Sequence, residues 1–194
     1  MNRAADVVVA GVGLALMSPL LGLAALATKL ENGGPVLYRQ TRVGRHGEDF
    51  EVLKLRSMVV GAEKLGAGYA VDQGDRRITR VGRVLRRSSI DELPQLWNIL
   101  RGDMSVIGPR PTLRYQVEQY DEHQWRRLEI RPGLTGWAQV QGRASLAWAD
   151  RIELDVWYVD HRSFMLDLKI LGRTAKLLAS GRGLYSADLR QGWD

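Results

Sequence analysis

A long apolar stretch near the start dominates the hydrophobic pattern of the chain. Residues 7–28 form a run of 22 positions without a charge. Such a run is long enough to cross the ~30 Å hydrocarbon core of a membrane as a helix. Ser18 and Pro19 lie in its middle, and proline removes a backbone hydrogen bond, so we expect the helix to break there.

The charges around this stretch do not assign its ends to opposite sides of a membrane. Arg3 precedes it, and Lys29, Arg39, Arg42 and Arg45 follow it. The pattern favours a re-entrant helix that bends at Ser18 and Pro19 and returns to the same face, with the serine hydroxyl bonding a carbonyl freed by the proline. A kinked span and a buried soluble helix are alternatives. Asp6 and the length of the run disfavour a cleaved signal peptide.

A β-hairpin is predicted next. Residues 36–43 and 50–55 are rich in β-prone side chains, and the four residues 44–47 between them have turn composition. Lys54 lies near the end of the second strand, and Arg56 follows it.

Two helices with basic faces are predicted further along. In the first, Arg76, Arg80, Arg83 and Arg87 recur at helical spacing opposite Val81 and Leu85. This face is either simply solvated or an anion-binding surface. In the second, residues 166–179, apolar positions alternate with Lys169, Arg173 and Lys176, a pattern that suits either anionic lipid or core packing.

The polar chemistry concentrates between residues 86 and 111. Pro94 fits only the first turn of a helix, so we expect a helix that begins near Ser89 to Asp91 and stops at Gly102. Its apolar stripe consists of Leu93, Leu96, Trp97 and Leu100. Asp91 and Glu92 then lie at the helix N-terminus. Ser89 and Glu92 have the spacing of a capping box, which is a purely structural explanation for the acidic residues.

The second explanation for these carboxylates is catalytic. A helix N-terminus keeps a carboxylate ionised and also receives phosphate oxygens. Adjacent carboxylates can divide the work of phosphoryl transfer, one attacking phosphorus and one holding a divalent cation. Arg110 lies between Pro109 and Pro111, which either pre-position it as a phosphate clamp or mark a stiff turn.

A second loop adds a weaker signal. Residues 131–143 contain Gly133, Gly136 and Gly142, which permit close backbone approach, and Trp137, whose ring offers a face to a base or a sugar. The three histidines of the chain are not paired at metal spacing, which disfavours zinc, whereas oxygen-liganded magnesium is compatible with the acidic residues.

Composition narrows the classes of protein. A chain of 194 residues, 45% hydrophobic and 26% charged, suits one domain with a real core. The absence of cysteine excludes disulfides and thiol chemistry. The net charge of +6 favours anionic partners: nucleic acid, phosphorylated metabolites or an acidic membrane surface. Arginine outnumbers lysine by 23 to 5, which reflects either phosphate binding or a GC-rich genome.

Five motifs in order resemble those of the bacterial sugar transferase family, the monotopic phosphoglycosyl transferases. They are residues 53–58 (LKLRSM), 89–98 (SIDELPQLWN), 108–111 (GPRP), 132–137 (PGLTGW) and 155–159 (DVWYV). The resemblance covers most of the chain, including the apolar helix with its serine-proline pair, and is that of a minimal catalytic form without the extra N-terminal membrane domain of larger members.

We therefore expect an α+β protein. A re-entrant membrane helix (residues 1–30) would precede one compact catalytic domain (residues 31–194) made of a small hairpin, arginine-rich helices and interfacial amphipathic helices. The resemblance places the protein on the cytoplasmic face of the bacterial inner membrane, attached to one leaflet.

The resemblance implies transfer of a sugar phosphate from a UDP-sugar to polyprenyl (undecaprenyl) phosphate, with release of UMP, as the first membrane step of a glycan pathway. Asp91 would be the nucleophile of a covalent phosphosugar intermediate, and Glu92 would assist. Both would bind Mg²⁺. Phosphate- or substrate-binding roles are expected for Lys54, Arg56, Arg86, Pro109, Arg110, Pro111, Gly136, Gln139, Arg143 and Asp167.

The expected partners are the UDP-sugar, the lipid phosphate, the membrane and downstream glycosyltransferases. A homodimer is compatible with the sequence but unsupported by it. Nucleic acid is not an expected partner, because no recognised binding motif occurs. The alternatives are a membrane-anchored nucleic-acid-binding module and a non-catalytic scaffold, and the set of Asp91, Glu92 and Arg110 argues against the scaffold. The sugar and the pathway are left open.

Overall fold

A computed structural model describes residues 2–65, 74–142 and 146–180. Within these residues the fold is α+β, as predicted. The helices are α1 (Arg3–Asn32), α2 (Arg80–Ser88), α3 (Gln95–Arg101), α4 (Arg114–Val117), α5 (Glu122–Trp125), α6 (Trp137–Gln141), α7 (Trp148–His161) and α8 (Phe164–Ser180). The strands are β1 (Leu37–Val43), β2 (Asp49–Leu55), β3 (Ser105–Ile107) and β4 (Gly133–Thr135).

The apolar stretch forms α1, which continues through the serine-proline pair. Pro19 has no N–H for the carbonyl of Ala15 four residues earlier, and the Ser18 hydroxyl donates to that carbonyl at 2.9 Å. The predicted break therefore does not end the helix, because the serine replaces the missing donor, as expected of its hydroxyl. α1 ends at Gly33, whose φ of 65° is a left-handed cap.

One side of α1 packs on the rest of the protein along its length. Ala10 is fully buried in the main core, and Gly13 lies against Leu96 of α3. Near the other end, Ala24 packs with Leu55 and Leu85. The outer side is apolar and exposed: Val7, Val8, Val9, Val12, Leu16, Met17, Leu20, Leu23, Leu26 and Leu30. By length and composition α1 is able to cross a membrane, and only 11% of its most apolar window is buried.

The hairpin is confirmed to within one residue. Strand β1 pairs antiparallel with β2, with Leu37 opposite Leu55 and Val43 opposite Asp49. The connection is a 3₁₀ turn, Arg45–Gly47, in which His46 adopts a positive φ of 58°. The hairpin thereby brings Lys54, near the end of β2, opposite Tyr38.

A second, parallel pair of strands was not predicted. Strand β3 pairs with β4, with Ser105 opposite Gly133 and Ile107 opposite Thr135. The main core forms around this pair, between α1, α3, α6, α7 and α8. Its buried members are Ala10, Leu96, Ile99, Met104, Val106, Ile107, Trp137, Tyr158 and Ile170.

All three predicted helices of the polar part occur, and two of them begin later than predicted. The first basic helix, α2, begins at Arg80, so Arg76 lies before it. The helix that contains most of the apolar stripe, α3, begins only at Gln95, because Pro94 has no N–H to extend the preceding turn. Leu93 therefore lies before this helix. Trp97 of that stripe is 52% exposed. The last helix, α8, includes all of the predicted residues 166–179.

Candidate functional site

The acidic pair lies in a tight turn between α2 and α3. Ser89 ends α2 with a left-handed φ of 58°, and Ile90–Glu92 form one turn of 3₁₀ helix. The Ser89 side chain makes no capping hydrogen bond, and the Glu92 N–H donates to the Ser89 carbonyl instead. The capping box is therefore wrong. The next helix, α3, has only seven residues and begins at Gln95, so the pair does not lie in its first turn. The charges nearest the pair are therefore those of side chains.

Glu92 is held by two cations. Its Oε1 accepts from Lys54 Nζ at 2.9 Å and from Arg110 Nη2 at 2.6 Å. Burial alone would raise the pKa of Glu92, but the charges and hydrogen bonds of Arg110 and Lys54 hold it well below its usual range. Glu92 is therefore a fixed negative charge that places a lysine and an arginine beside Asp91.

Asp91 has the opposite character. Only 6% of its surface is exposed, and no group among the described residues donates a hydrogen bond to its carboxylate. Burial and the negative charge of Glu92 raise its pKa, against the opposing effects of Lys54, Arg86 and Arg110. A carboxylate with a raised pKa and unoccupied lone pairs is the more nucleophilic of the two.

Lys54 comes to this site from the hairpin. Burial lowers the pKa of its ammonium, while Glu92 and Asp91 favour the charged form. Arg110 comes from the segment after β3, and the neighbouring charge of Glu92 raises the pKa of its guanidinium. Nearly half of the Arg110 side chain is exposed, at 47%. One face of this guanidinium is therefore available to an incoming anion.

Arg86 is placed by the close packing of α2. A Cβ on Gly82 would lie 1.9 Å from the Ser57 carbonyl oxygen, so only glycine allows α2 to approach this closely. The contact lets Arg86 Nε donate to the Ser57 hydroxyl at 3.1 Å. Gly82 was missed by the sequence reasoning, since nothing in its neighbourhood distinguishes it from other helical glycines.

Arg110 sits on a loop that begins at the end of β3. Gly108 N–H donates to the Thr135 carbonyl, and the Pro109 carbonyl accepts from Gly133 N–H at 2.8 Å. A Cβ on Gly136 would lie 2.1 Å from the Gly108 carbonyl oxygen. Gly108, after β3, and Gly136, between β4 and α6, thus allow these two backbone segments to lie in contact. Gly136, predicted to bind substrate, is used in the structure for this packing.

A buried ion pair supports the same loop from behind. Arg127, 3% exposed, donates to the carboxylate of Asp155, to the Tyr120 hydroxyl and, at 3.0 Å, to the Arg110 carbonyl oxygen. Burial raises the pKa of Asp155 to about 6, although Arg127 acts in the opposite direction. Arg127 was missed by the sequence reasoning, because it stands in no motif among 23 arginines.

Other predicted substrate-binding residues lie in different contacts. Arg56 donates to the Pro35 carbonyl and stacks on the Tyr38 ring. Asp167 is buried and accepts from the Tyr158 hydroxyl at 2.6 Å, and Gln139 donates to the Leu134 carbonyl.

Two further expectations concern residues near α6. Trp137 is 7% exposed. Its ring stacks on Trp157 and lies under the cations of Lys169 and Arg173, so the prediction that it offers a free aromatic face is wrong. Arg143 lies outside the described residues.

The acidic pair offers oxygen ligands of the kind that magnesium binds. No group of three or more acidic or histidine side chains placed to hold a metal occurs in the described part of the chain. Magnesium, however, commonly takes one or two carboxylates and completes its shell with substrate phosphates and water. Both cations on Glu92 contact Oε1, which leaves Oε2 and the Asp91 oxygens as ligands. The pair fits a metal that arrives with a diphosphate.

Two carboxylates of opposite character among three cations, beside a long apolar helix, are typical of a membrane-associated enzyme for phosphorylated substrates. The chain belongs to the bacterial sugar transferase family, whose profile matches residues 1–181.

Named relatives support this membership. The chain is 47% identical over 192 residues to UDP-glucose:undecaprenyl-phosphate glucose-1-phosphate transferase of Caulobacter vibrioides, covering 95% of this chain and 72% of that protein. It is 41% identical over 188 residues to the uncharacterized sugar transferase EpsL of Bacillus subtilis, covering 97% and 92%.

A third relative is the UDP-N-acetylgalactosamine-undecaprenyl-phosphate N-acetylgalactosaminephosphotransferase of Aeromonas hydrophila. The identity is 43% over 189 residues, which cover 94% of this chain but only 44% of that protein.

Proposed function

We propose that the protein transfers a sugar phosphate from a UDP-sugar to undecaprenyl phosphate, in two steps through a covalent intermediate on Asp91. Relatives named for this reaction with glucose and with N-acetylgalactosamine support the reaction class. The observation that carries the assignment of Asp91 is its buried carboxylate, free of hydrogen-bond donors among the described residues and faced by Lys54, Arg86 and Arg110.

In the first step an Asp91 oxygen attacks the phosphorus that carries the sugar. The bond from this phosphorus to the oxygen bridging the diphosphate breaks, and UMP leaves with that oxygen and the electron pair. Arg110 and Lys54 stabilise the charge on the phosphoryl oxygens, since both are already oriented by Glu92. Arg86 binds a phosphate oxygen beside the turn.

In the second step a phosphate oxygen of the polyprenyl phosphate attacks the same phosphorus. The bond to Asp91 breaks, the carboxylate is regenerated, and the product is a polyprenyl diphosphate sugar. Donor and acceptor use one set of cations in succession, because each arrives with an anionic phosphate. This product would be the substrate of downstream glycosyltransferases in a glycan biosynthetic pathway.

Magnesium belongs to this proposal as a group held by Asp91 and Glu92 together with the substrate diphosphate. When bound, it supplies neutralisation of the diphosphate charge. Glu92 would serve both roles, since Oε1 orders the two cations and Oε2 would be available to hold the metal.

The membrane geometry is also part of the proposal. Near the start of α1, Arg3 donates to the Leu100 carbonyl at 2.6 Å, and buried Asp6 accepts from Ser105 Oγ and Val106 N–H. Near its end, Glu31 accepts from two N–H groups of α2. Both ends of α1 thus form hydrogen bonds with the same folded domain. This supports a monotopic attachment on the cytoplasmic face of the inner membrane, with the outer side of α1 in lipid.

The function is tested by turnover. We expect detergent-purified protein with Mg²⁺, undecaprenyl phosphate and a panel of UDP-sugars to release UMP and form the lipid product, and Asp91→Asn to abolish both while remaining folded. Glu48→Gln, an exposed acidic position, is the matched control. Full turnover by Asp91→Asn would overturn the assignment of Asp91.

The topology is tested with single cysteines, because the chain has none of its own. Ala4→Cys and Leu37→Cys place exposed thiols beyond either end of the apolar run. Both should react with a membrane-impermeant maleimide from the cytoplasmic side only. Labelling of Ala4→Cys from the other side would establish a span instead.

A further inference from the structure

Helix α2 has an exposed basic face that the proposed chemistry does not use. The residues of this α2 basic face are Arg80, Arg83, Val84 and Arg87. They follow the i, i+3, i+4, i+7 spacing of one helix side, and Val84 is 66% exposed at the centre. The opposite side, with Gly82 and Leu85, is buried.

The side chains of Arg83 and Arg87 have no acidic partner among the described residues, whereas Arg80 has the charge of Glu31 nearby. Arg83 and Arg87 form no ion pair or side-chain hydrogen bond with any residue of the described ranges, and the Arg80 guanidinium forms no ion pair there either. Other exposed arginines do pair, such as Arg39 with Glu51 and Arg101 with Asp103. Like charges three and four residues apart destabilise a helix, so an external anion would stabilise this one.

The α2 basic face adjoins the apolar helix. Glu31, in the last turn of α1, caps α2 by accepting from the N–H groups of Arg80 and Val81 at 2.8 and 2.9 Å. Leu85 packs on Ala24 of α1. The Arg80 end of the basic face therefore lies beside the last turn of α1, and the rest of α2 lies alongside α1. A basic face beside an exposed apolar helix is the arrangement expected at the boundary between acyl chains and headgroups.

We propose that the α2 basic face binds the phosphate headgroups of anionic phospholipids in the bilayer that holds α1. A guanidinium group can donate two parallel hydrogen bonds to one phosphate, and Val84 supplies an apolar contact between the arginines. Because α2 ends at Ser88, three residues before Asp91, headgroup binding fixes the depth of the nucleophile at the membrane surface. The proposal rests on the membrane attachment through α1 that is part of the proposed function.

The test uses a fluorophore on a single cysteine at Val84→Cys, in nanodiscs of phosphatidylcholine alone or with phosphatidylglycerol. We expect the anionic lipid to protect the label from quenching by neutral acrylamide. About 1 M salt should remove this protection, because ionic screening is then nearly complete.

Charge variants decide which residues are responsible. Adding Arg83→Gln and Arg87→Gln should abolish the protection, whereas Arg39→Gln with Arg101→Gln, which removes the same charge elsewhere, should retain it. Equal quenching in both lipids, or protection that survives the first pair of substitutions, would overturn the proposal. Protection by an RNA oligonucleotide but not by anionic lipid would assign the face to nucleic acid.

The outcome also separates this proposal from the proposed function. Equal quenching in nanodiscs that still release UMP from a UDP-sugar would reject the lipid contact and leave the transferase intact. Loss of the protein from nanodiscs of either composition would overturn the membrane attachment and the lipid contact together.

Discussion

Asp91 and Glu92 are adjacent carboxylates whose pKa values shift in opposite directions. Glu92 accepts two charge-assisted hydrogen bonds and stays ionised, whereas Asp91 is buried beside it, its pKa raised by burial and by the neighbouring charge. Glu92 orders Lys54 and Arg110, whereas the Asp91 carboxylate accepts no hydrogen bond from the described residues. Two similar carboxylates thus differ in their ease of ionisation because their surroundings differ.

This relationship predicts the pH dependence of turnover. In the proposed mechanism the ionised form of Asp91 attacks, so kcat/KM should rise with pH through the raised pKa of Asp91. Glu92→Gln removes a charge that raises this pKa, so the acid limb should move to lower pH even as the rate falls. Profiles of the wild type, Glu92→Gln and the exposed control Glu48→Gln would show it. An acid limb that stays in place in Glu92→Gln would contradict the coupling.

The buried pair of Arg127 and Asp155 predicts a pH-dependent stability loss. Arg127→Met leaves Asp155 without its counter-charge, which should cost about 3–5 kcal/mol at neutral pH. The folded pKa of Asp155, about 6, lies above its unfolded value of 3.8, so the folded state accommodates the protonated acid. The loss should therefore be smaller below about pH 5 than at pH 8. Denaturant unfolding at the two pH values measures it, and a larger loss at the lower pH would refute the account.

Replacing both members of the pair separates stability from loop positioning. Arg127→Met with Asp155→Leu removes both buried charges, so the free energy of unfolding should recover most of the loss. The Arg110 carbonyl still lacks the donor that Arg127 supplied, so kcat/KM should remain reduced. Recovery of wild-type activity in the stable double variant would show that the Arg110 loop needs no support from Arg127.

The close approach of the two loops predicts a severe effect of one methyl group. In Gly136→Ala the new Cβ would meet the Gly108 carbonyl oxygen at 2.1 Å, so the loops must separate, at a cost of about 2 kcal/mol or more. The control is Gly172→Ala in α8, where the added Cβ would meet no described atom within 4 Å apart from its chain neighbours and its own helix backbone. Alanine should stabilise this helix by about 1 kcal/mol. Thermal unfolding of both variants tests this, and equal melting temperatures would contradict it.

The sequence predicted those parts of the protein that depend on local signals. The hairpin has turn residues between two β-prone runs, and the role of Ser18 follows from the proline beside it. Strands β3 and β4 are three residues each, too short for an alternating pattern. Their pairing depends on the close backbone contacts of Gly108 with Gly133 and Gly136, which are distant in sequence.

The candidate site was predicted in the same uneven way. Its charged members stand in motifs, but the capping box failed because tertiary partners, Lys54 and Arg110, bind Glu92 more favourably than the local backbone does. The burial of Arg127 and of the Trp137 ring depends on how distant helices pack, which no local pattern encodes.

The central claim is that Asp91 carries the sugar phosphate. The most direct measurement is intact mass and peptide mapping after incubation with a panel of UDP-sugars and Mg²⁺ in the absence of lipid acceptor. The account predicts a phosphosugar adduct on Asp91, absent from Asp91→Asn and discharged when undecaprenyl phosphate is added, and the donor that forms it would identify the sugar. If no donor gives an adduct and UMP appears only once the lipid is present, the transfer is direct and Asp91 is not the nucleophile.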